Sequence, residues 1–112
     1  MGRGQTQAPR LIPVAKIWLV ADALADLAAA REWYEAQRPG LGDEFIGAVD
    51  DAMESVLAFP IAYPVDYRDA RRFLVERFPY CLYYRLEGDD VVVVACIHAV
   101  RDPRETHRRL RG

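Results

Sequence analysis

The side chains with most chemical capacity lie in the second half of the chain. His98 and His107 are its two histidines and Cys81 and Cys96 its two cysteines, and Arg72, Arg85, Arg101 and Arg104 belong to ten basic residues after position 60. Imidazoles titrate near neutrality, so His107 could shuttle a proton and His98 could act as a base. Guanidiniums present planar paired donors to phosphate or carboxylate. Each has a plainer reading. His98 has no evident second catalytic group beside it and fits a structural or surface role. Arg101, Arg104, Arg108, Arg109 and Arg111 fit either a binding surface or a solvated terminus. Arg71, Arg72 and Arg77 fit either a partner contact or pairing with Glu76 and Asp69. No Cys/His set has zinc-ligand spacing and there is no glycine-rich phosphate loop, so neither a metal nor a cofactor is expected.

The elements that position these groups must come from a small chain. At 112 residues it is expected to form one domain over 14–112, preceded by a loose tail over 1–13 that holds Gly2, Gly4, Pro9 and Pro13. Folding buries roughly two-thirds of the surface of such a chain, enough for a core without staples. The longest apolar run, Val91 to Ile97, is too short to span a membrane. No export signal precedes the domain, which points to a cytoplasmic protein with reduced thiols. The net charge of −2 argues against a protein that simply coats nucleic acid, but the charge is uneven. Residues 1–60 carry five basic and nine acidic side chains, and the remainder ten basic and eight acidic.

Val14 to Val20 alternates as a strand, with Ile17 and Leu19 on one face. An alanine-rich helix follows from about Ala21, placing Leu24, Leu27, Ala28 and Tyr34 on one side and stopping at Pro39-Gly40. A second helix over Leu41 to Ala58 carries the stripe Phe45, Val49, Ala52, Met53 and Val56. The short link makes the two an antiparallel hairpin. Three strands complete the order: Arg72 to Arg77, Tyr80 to Leu86, and Val91 to Ile97, the last two joined by the turn Glu87-Gly88-Asp89-Asp90. The fold class is thus α+β, β-α-α-β-β-β, with an antiparallel-rich sheet packed on the helical hairpin.

Centring that turn on Gly88-Asp89 sets a register. One face then holds Tyr80, Leu82, Tyr84, Leu86, Val91, Val93, Ala95 and Ile97 and should pack on the helices. The other holds Cys81, Tyr83, Arg85, Val92, Val94, Cys96 and His98 and should be open. Tyr83 there could stack on a base or pack beneath the C-terminal segment. Cys81 falls opposite Cys96 at a hydrogen-bonded position with Cα atoms ~5.5 Å apart, and two packed thiols are expected rather than a disulfide.

In order and spacing, Ala23-Leu-Ala-Asp26-Leu27, Trp33-Tyr34-Glu35, Pro39 to Phe45, Pro60, Tyr63-Pro64, Arg71-Arg72, Arg77-Phe78-Pro79-Tyr80, Tyr84, His98 and Arg101-Asp102-Pro103 resemble the RelE/ParE superfamily of toxins from bacterial toxin–antitoxin modules. The pattern is closer to the ParE-like, plasmid-stabilisation branch. The resemblance covers about Val14 to Arg109.

That resemblance implies a toxin that inhibits DNA gyrase or another topoisomerase by direct binding. Arg72, Tyr83, Arg85, His98, Arg101 and Arg104 are then the candidate target-binding residues. It also implies a cognate antitoxin, of ribbon-helix-helix, ParD-like type, docking on the helical hairpin and sheet edge, with operator DNA reached only through the antitoxin. The acidic first half would suit a basic antitoxin tail or, equally, be a solvated face. The RelE-like alternative is a ribosome-dependent mRNA endonuclease using Arg72, Arg85, Arg101 and His107. Leu74 and Cys81 occupy two positions where that branch has cations, which weakens it. A third alternative is an inactive homologue that only binds antitoxin.

Overall fold

A computed structural model describes residues 16–111. The expected tail over 1–13 lies outside the described residues. The elements are β1 (Ile17–Leu19), α1 (Ala21–Gln37), α2 (Leu41–Ala58), β2 (Val65–Tyr67), β3 (Ala70–Leu74), β4 (Tyr80–Glu87), β5 (Asp90–His98) and α3 (Pro103–Arg111). They form a five-stranded sheet in the order β1-β5-β4-β3-β2. β1 runs parallel to β5 and the other neighbours are antiparallel. The expected α+β plan is the one observed, with two additions, the short strand β2 and the terminal helix α3. The strand expected over Arg72 to Arg77 instead spans Ala70 to Leu74, because Arg77 takes a left-handed φ of 72° in the turn into β4.

The hairpin α1–α2 turns on Gly40, whose φ of 90° suits glycine. Gly40 brings no side chain to cap α2, so Glu35 of α1 supplies one. Its carboxylate accepts the N–H groups of Gly40 and Gly42, each at 3.0 Å. A Cβ on Gly42 would lie 2.8 Å from the Arg31 carbonyl, so glycine is what lets the helices close there.

α2 buries Phe45, Val49, Ala52 and Val56 as its periodicity requires, with Met53 half-buried. On α1 the buried stripe is Ala23, Leu27, Ala30 and Tyr34. Leu24, expected inside, is 55% exposed, and Ala28 is exposed too. An alanine-rich helix has nearly equivalent faces, and the large Tyr34 ring decides among them. Its centroid lies 4.9 Å from that of Phe78 and 5.2 Å from that of Phe45, and the other buried positions follow from it at helical spacing. Phe45 also meets Phe78 and Tyr80 edge-on, both at 5.3 Å. The buried Tyr84 hydroxyl donates to the Pro60 carbonyl at 2.8 Å, so that phenol is not stranded.

The β4–β5 hairpin corrects the expected register over half its length. From the turn to Tyr84↔Val93 the pairing is as expected, but Tyr83 then pairs with Ala95, leaving Val94 as a bulge. Beyond it every β5 side chain changes face. Cys96 joins Val91 and Val93 under the helical hairpin, while Ala95 and Ile97 pack with Cys81, Tyr83, Ala70 and Leu110 on the far side. His98 pairs with Tyr80 and so moves from the expected open face to the hairpin side. Cys81 is opposite Ile97 rather than Cys96, and both buried thiols are free.

Candidate functional site

The far face of the sheet is not open. α3 crosses it, burying Leu110 and Thr106 over Ala70, Cys81, Tyr83, Ala95 and Ile97. Its start follows from sequence. Asp102 caps it, with the carboxylate accepting the Arg104 N–H at 2.9 Å and the carbonyl accepting from Glu105 and Thr106. Pro103 occupies the first turn, where a missing N–H is harmless. Arg108, Arg109 and Arg111 end it, complementing the helix dipole.

The helix is tied down at both sides. Arg109 donates to both oxygens of Asp26 on α1, at 3.1 and 2.8 Å. The same carboxylate accepts the Cys96 N–H at 2.9 Å, on the edge of β5 that the three-residue β1 leaves uncovered. This Asp26 hydrogen bond raises the Arg109 pKa above its ordinary value. Toward the other edge the His107 ring stacks on Tyr67 of β2, with centroids 3.9 Å apart and planes 10° apart. Arg85 of β4 donates to the Leu110 carbonyl and, through Nε, to Asp69 at 2.6 Å. That Arg85 bond holds the Asp69 carboxyl below the usual carboxylate range.

A second feature opens on the hairpin side. A cleft of about 660 Å³ lies between α1 and the ends of β4 and β5, lined by Asp26, Trp33, Tyr34, Tyr80, His98 and Arg101 among others. Trp33 is 58% exposed there. His98 packs edge-on to Tyr80 at 5.1 Å, and its Nδ1 accepts the Val100 N–H at 3.2 Å. Burial, aided by the Asp26 carboxylate, pushes the Cys96 thiol up to about 12, so it is no nucleophile at neutral pH.

The candidate residues therefore separate into two groups. His98 and Arg101 share the cleft. Arg72, Tyr83, Arg85 and His107 belong to the α3 face: Arg72 pairs in register with Tyr83, and Tyr83, only 6% exposed, lies in the cluster beneath α3. Burial raises the Tyr83 pKa and removes the ring as a stacking platform. Arg101 is paired with Glu105 at 3.7 Å and Arg104 with Asp102 at 3.0 Å. The Arg104 bond keeps the Asp102 carboxyl low. No group of three or more His, Cys, Asp or Glu side chains among the described residues could hold a metal ion.

The sequence does not announce the pairing of Asp26 with Arg109, the cleft walls Trp33 and Tyr80, or the seat of His107 on Tyr67. The Asp26–Arg109 contact spans 83 residues, so no local spacing announces it. A helix signature was present for α3, in Asp102, Pro103 and the terminal arginines.

No helix among the described residues is long and apolar enough to cross a membrane. No curated protein matches the sequence. Among solved structures, a chain described as the chromosomal ParDE TA system from P. aeruginosa superposes with a TM-score of 0.58 at 20% identity, over 76% of this chain and 96% of that one. At that identity the likeness speaks for the fold. The profile of the family described as ParE toxin of type II toxin-antitoxin system, parDE, matches residues 19–103, from the end of β1 to the first residue of α3. That span takes in the helical hairpin and the rest of the sheet, and the chain belongs to the ParE toxin family of type II toxin–antitoxin systems.

Proposed function

We propose that this chain is a toxin that inhibits DNA gyrase or a related topoisomerase by direct binding, and that a cognate antitoxin of ParD-like, ribbon-helix-helix type neutralises it in the cytoplasm. The observation that carries the reading, beyond family membership, is the dispersal of the cations a nuclease would need. Arg85 is engaged by Asp69 and the Leu110 carbonyl, His107 is stacked on Tyr67, and Arg101 lines the cleft on the other side of the sheet. Phosphoryl chemistry needs such groups converging on one phosphate, each worth about 3 kcal/mol or more of transition-state stabilisation. Inhibition by contact needs only a shaped, charged surface. Arg72 and Arg104 on the α3 side and His98 and Arg101 in the cleft remain the target-binding candidates; Tyr83 and Arg85 support only the first pair, from beneath α3.

The antitoxin is assigned to the helical hairpin and the adjoining sheet edge. Phe59, Ile61, Val65 and Leu74 are exposed apolar side chains between α2 and the β2–β3 edge. Beside them a groove of about 570 Å³ is lined by Ala48, Ala52 and Phe73 and by Glu44, Asp51 and Glu76, with Arg77 paired to Glu44 at 3.7 Å. An amphipathic tail with basic flanks fits that pattern, ordering as it binds.

The test is a gyrase supercoiling assay with purified antitoxin-free protein, with and without antitoxin added back. Inhibition is expected, relieved by antitoxin, weakened by Arg101→Ala and retained by His107→Ala. A folded sample that leaves gyrase untouched but cleaves mRNA on translating ribosomes would overturn the reading in favour of the nuclease. Antitoxin binding without either activity would leave a binding module only.

A further inference from the structure

The two helical layers have opposite charge. α2 carries Asp43, Glu44, Asp50, Asp51 and Glu54 and no basic residue, whereas α3 carries four arginines, His107 and a single acid, Glu105. The layers lie on opposite faces of one sheet, so a chain of net charge −2 has a markedly positive side.

On that side the arginines divide by pairing. Arg85, Arg104 and Arg109 each hold an acid within 4 Å. Arg68, Arg72, Arg108 and Arg111 are exposed and have no such ion pair among the described residues. The fold draws these four to the border between α3 and the β2–β3 edge. Arg68 lies in the β2–β3 turn, its guanidinium 5.5 Å from the centre of the Tyr67 ring on which His107 stacks, and Arg68 and Arg111 share the Tyr67 hydroxyl. Arg111 follows His107 by one helical turn on the same side, and Arg108 neighbours Arg111 at i, i+3. Arg72 is two residues beyond Ala70, which pairs with Tyr67, so it shares their face of the sheet. Asp66 is the acid nearby without a cationic partner within 4 Å, and the balance stays positive. Arg68 holds a φ of 56°, an uncommon conformation for arginine that carries its side chain in a turn rather than along a ladder.

We propose that this border binds the phosphate backbone of duplex DNA, so that the toxin grips the DNA held by its target enzyme as well as the enzyme. Four exposed cations from three elements, none neutralised by an acid within 4 Å among the described residues, match repeating phosphates better than a single carboxylate partner. The aromatic arrangement selects duplex over single strands. Single-strand binding needs a free ring face on which bases stack, but Tyr67 is covered by His107 and Arg68, and Tyr83 is buried. The acidic helical hairpin points the other way and would orient the molecule on approach. The contact is independent of base sequence, since contacts to phosphate position a protein without reading bases.

The choice of duplex rests on the proposed topoisomerase target, but the test does not use gyrase, so the two readings fail separately. Fluorescence anisotropy of a labelled duplex with the full chain should show weak binding that collapses with salt. Neutralising about four phosphates predicts a slope of log K against log salt near −3.6, roughly a hundredfold loss between about 50 and about 200 mM. Arg72→Gln or Arg108→Gln should each flatten the slope by about one unit, and the R68Q/R72Q/R108Q/R111Q variant should lose binding by tenfold or more. Circular dichroism checks folding, and the R72Q/R108Q pair, both exposed, serves if the quadruple variant is destabilised. Arg31→Gln and Arg38→Gln on the hairpin should leave DNA binding unchanged. Salt-insensitive binding, equal binding by folded R72Q/R108Q, or tighter binding to single-stranded RNA of the same length would overturn the proposal, the last by giving the surface to RNA.

Discussion

The two faces of the sheet are covered by unequal means. On one, thirty-odd helical residues of α1 and α2 interlock with the strands through a cluster of rings: Tyr34, Phe45, Phe78 and Tyr80. On the other, nine residues of α3 are held by Leu110, Thr106, one stacked ring and one shared carboxylate. The first covering is a core, and hydrophobic burial with close packing sustains it. The second is a strap over a smaller apolar cluster, sustained largely by polar ties. A small domain thus concentrates stability on one side and leaves the other to carry charge.

Substitutions can break that contrast, and the largest effect should come from Phe45→Ala. Removing a fully buried ring that touches three others is expected to cost about 4 kcal/mol in urea unfolding, and a loss below ~2 would deny the hairpin face its dominance. Leu110→Ala should cost about 2 kcal/mol, the low end for a buried leucine, because α3 can detach without unfolding the rest. Hydrogen exchange should then show lost protection in α3 alone. Arg109→Ala leaves Asp26 without its cation at a site where the pair's side chains are 30% and 18% exposed, and should cost roughly 1–2 kcal/mol.

Acidity and alkalinity sharpen the contrast by acting on different faces. The Cys96 thiol on the hairpin side is held at about 12 against an ordinary 9.0, so it stabilises the fold fully below 9 and loses that contribution as pH rises toward 12. About 1 kcal/mol should be gone by pH 10 in thermal melts, and Cys96→Ala should remove that share of the decline. On the α3 side, Asp69 and Asp102 are held below 3.8 by Arg85 and Arg104, so their contribution is present above 3.8 and lost as pH falls through their lowered values. The smallest effect belongs to Arg38→Ala, whose surface pair with Glu44 should matter by less than ~0.5 kcal/mol.

Legibility in the sequence followed the same division. The stripe of α2 and the Gly88-Asp89 turn were readable because large apolar residues at a regular period, or a turn dipeptide between strands, permit one arrangement. Val91 to Ile97 is apolar at every position, so a slip of one residue preserves the pattern, and nothing local marks Val94 as a bulge. That slip moved Cys96 and one site candidate, His98, to the other face. α3 buries only Thr106 and Leu110, too few for a periodic signal, and in so polar a segment Asp102 and Pro103 alone mark its start. The Asp26 carboxylate gathers α1, β5 and α3 at one point, which no window of sequence contains.

The place of β1 in the sheet also governs timing. Its partner is the last strand, so the contact of Lys16 with Asp90 closes 74 residues, and the Asp26 contacts with Cys96 and Arg109 close 70 and 83. During synthesis the helical hairpin can form as soon as it emerges, whereas this edge waits for nearly the whole domain. The surface that holds α3, and with it the cationic border, is therefore assembled last, and a chain stalled before Arg109 would expose the apolar sheet face that α3 covers.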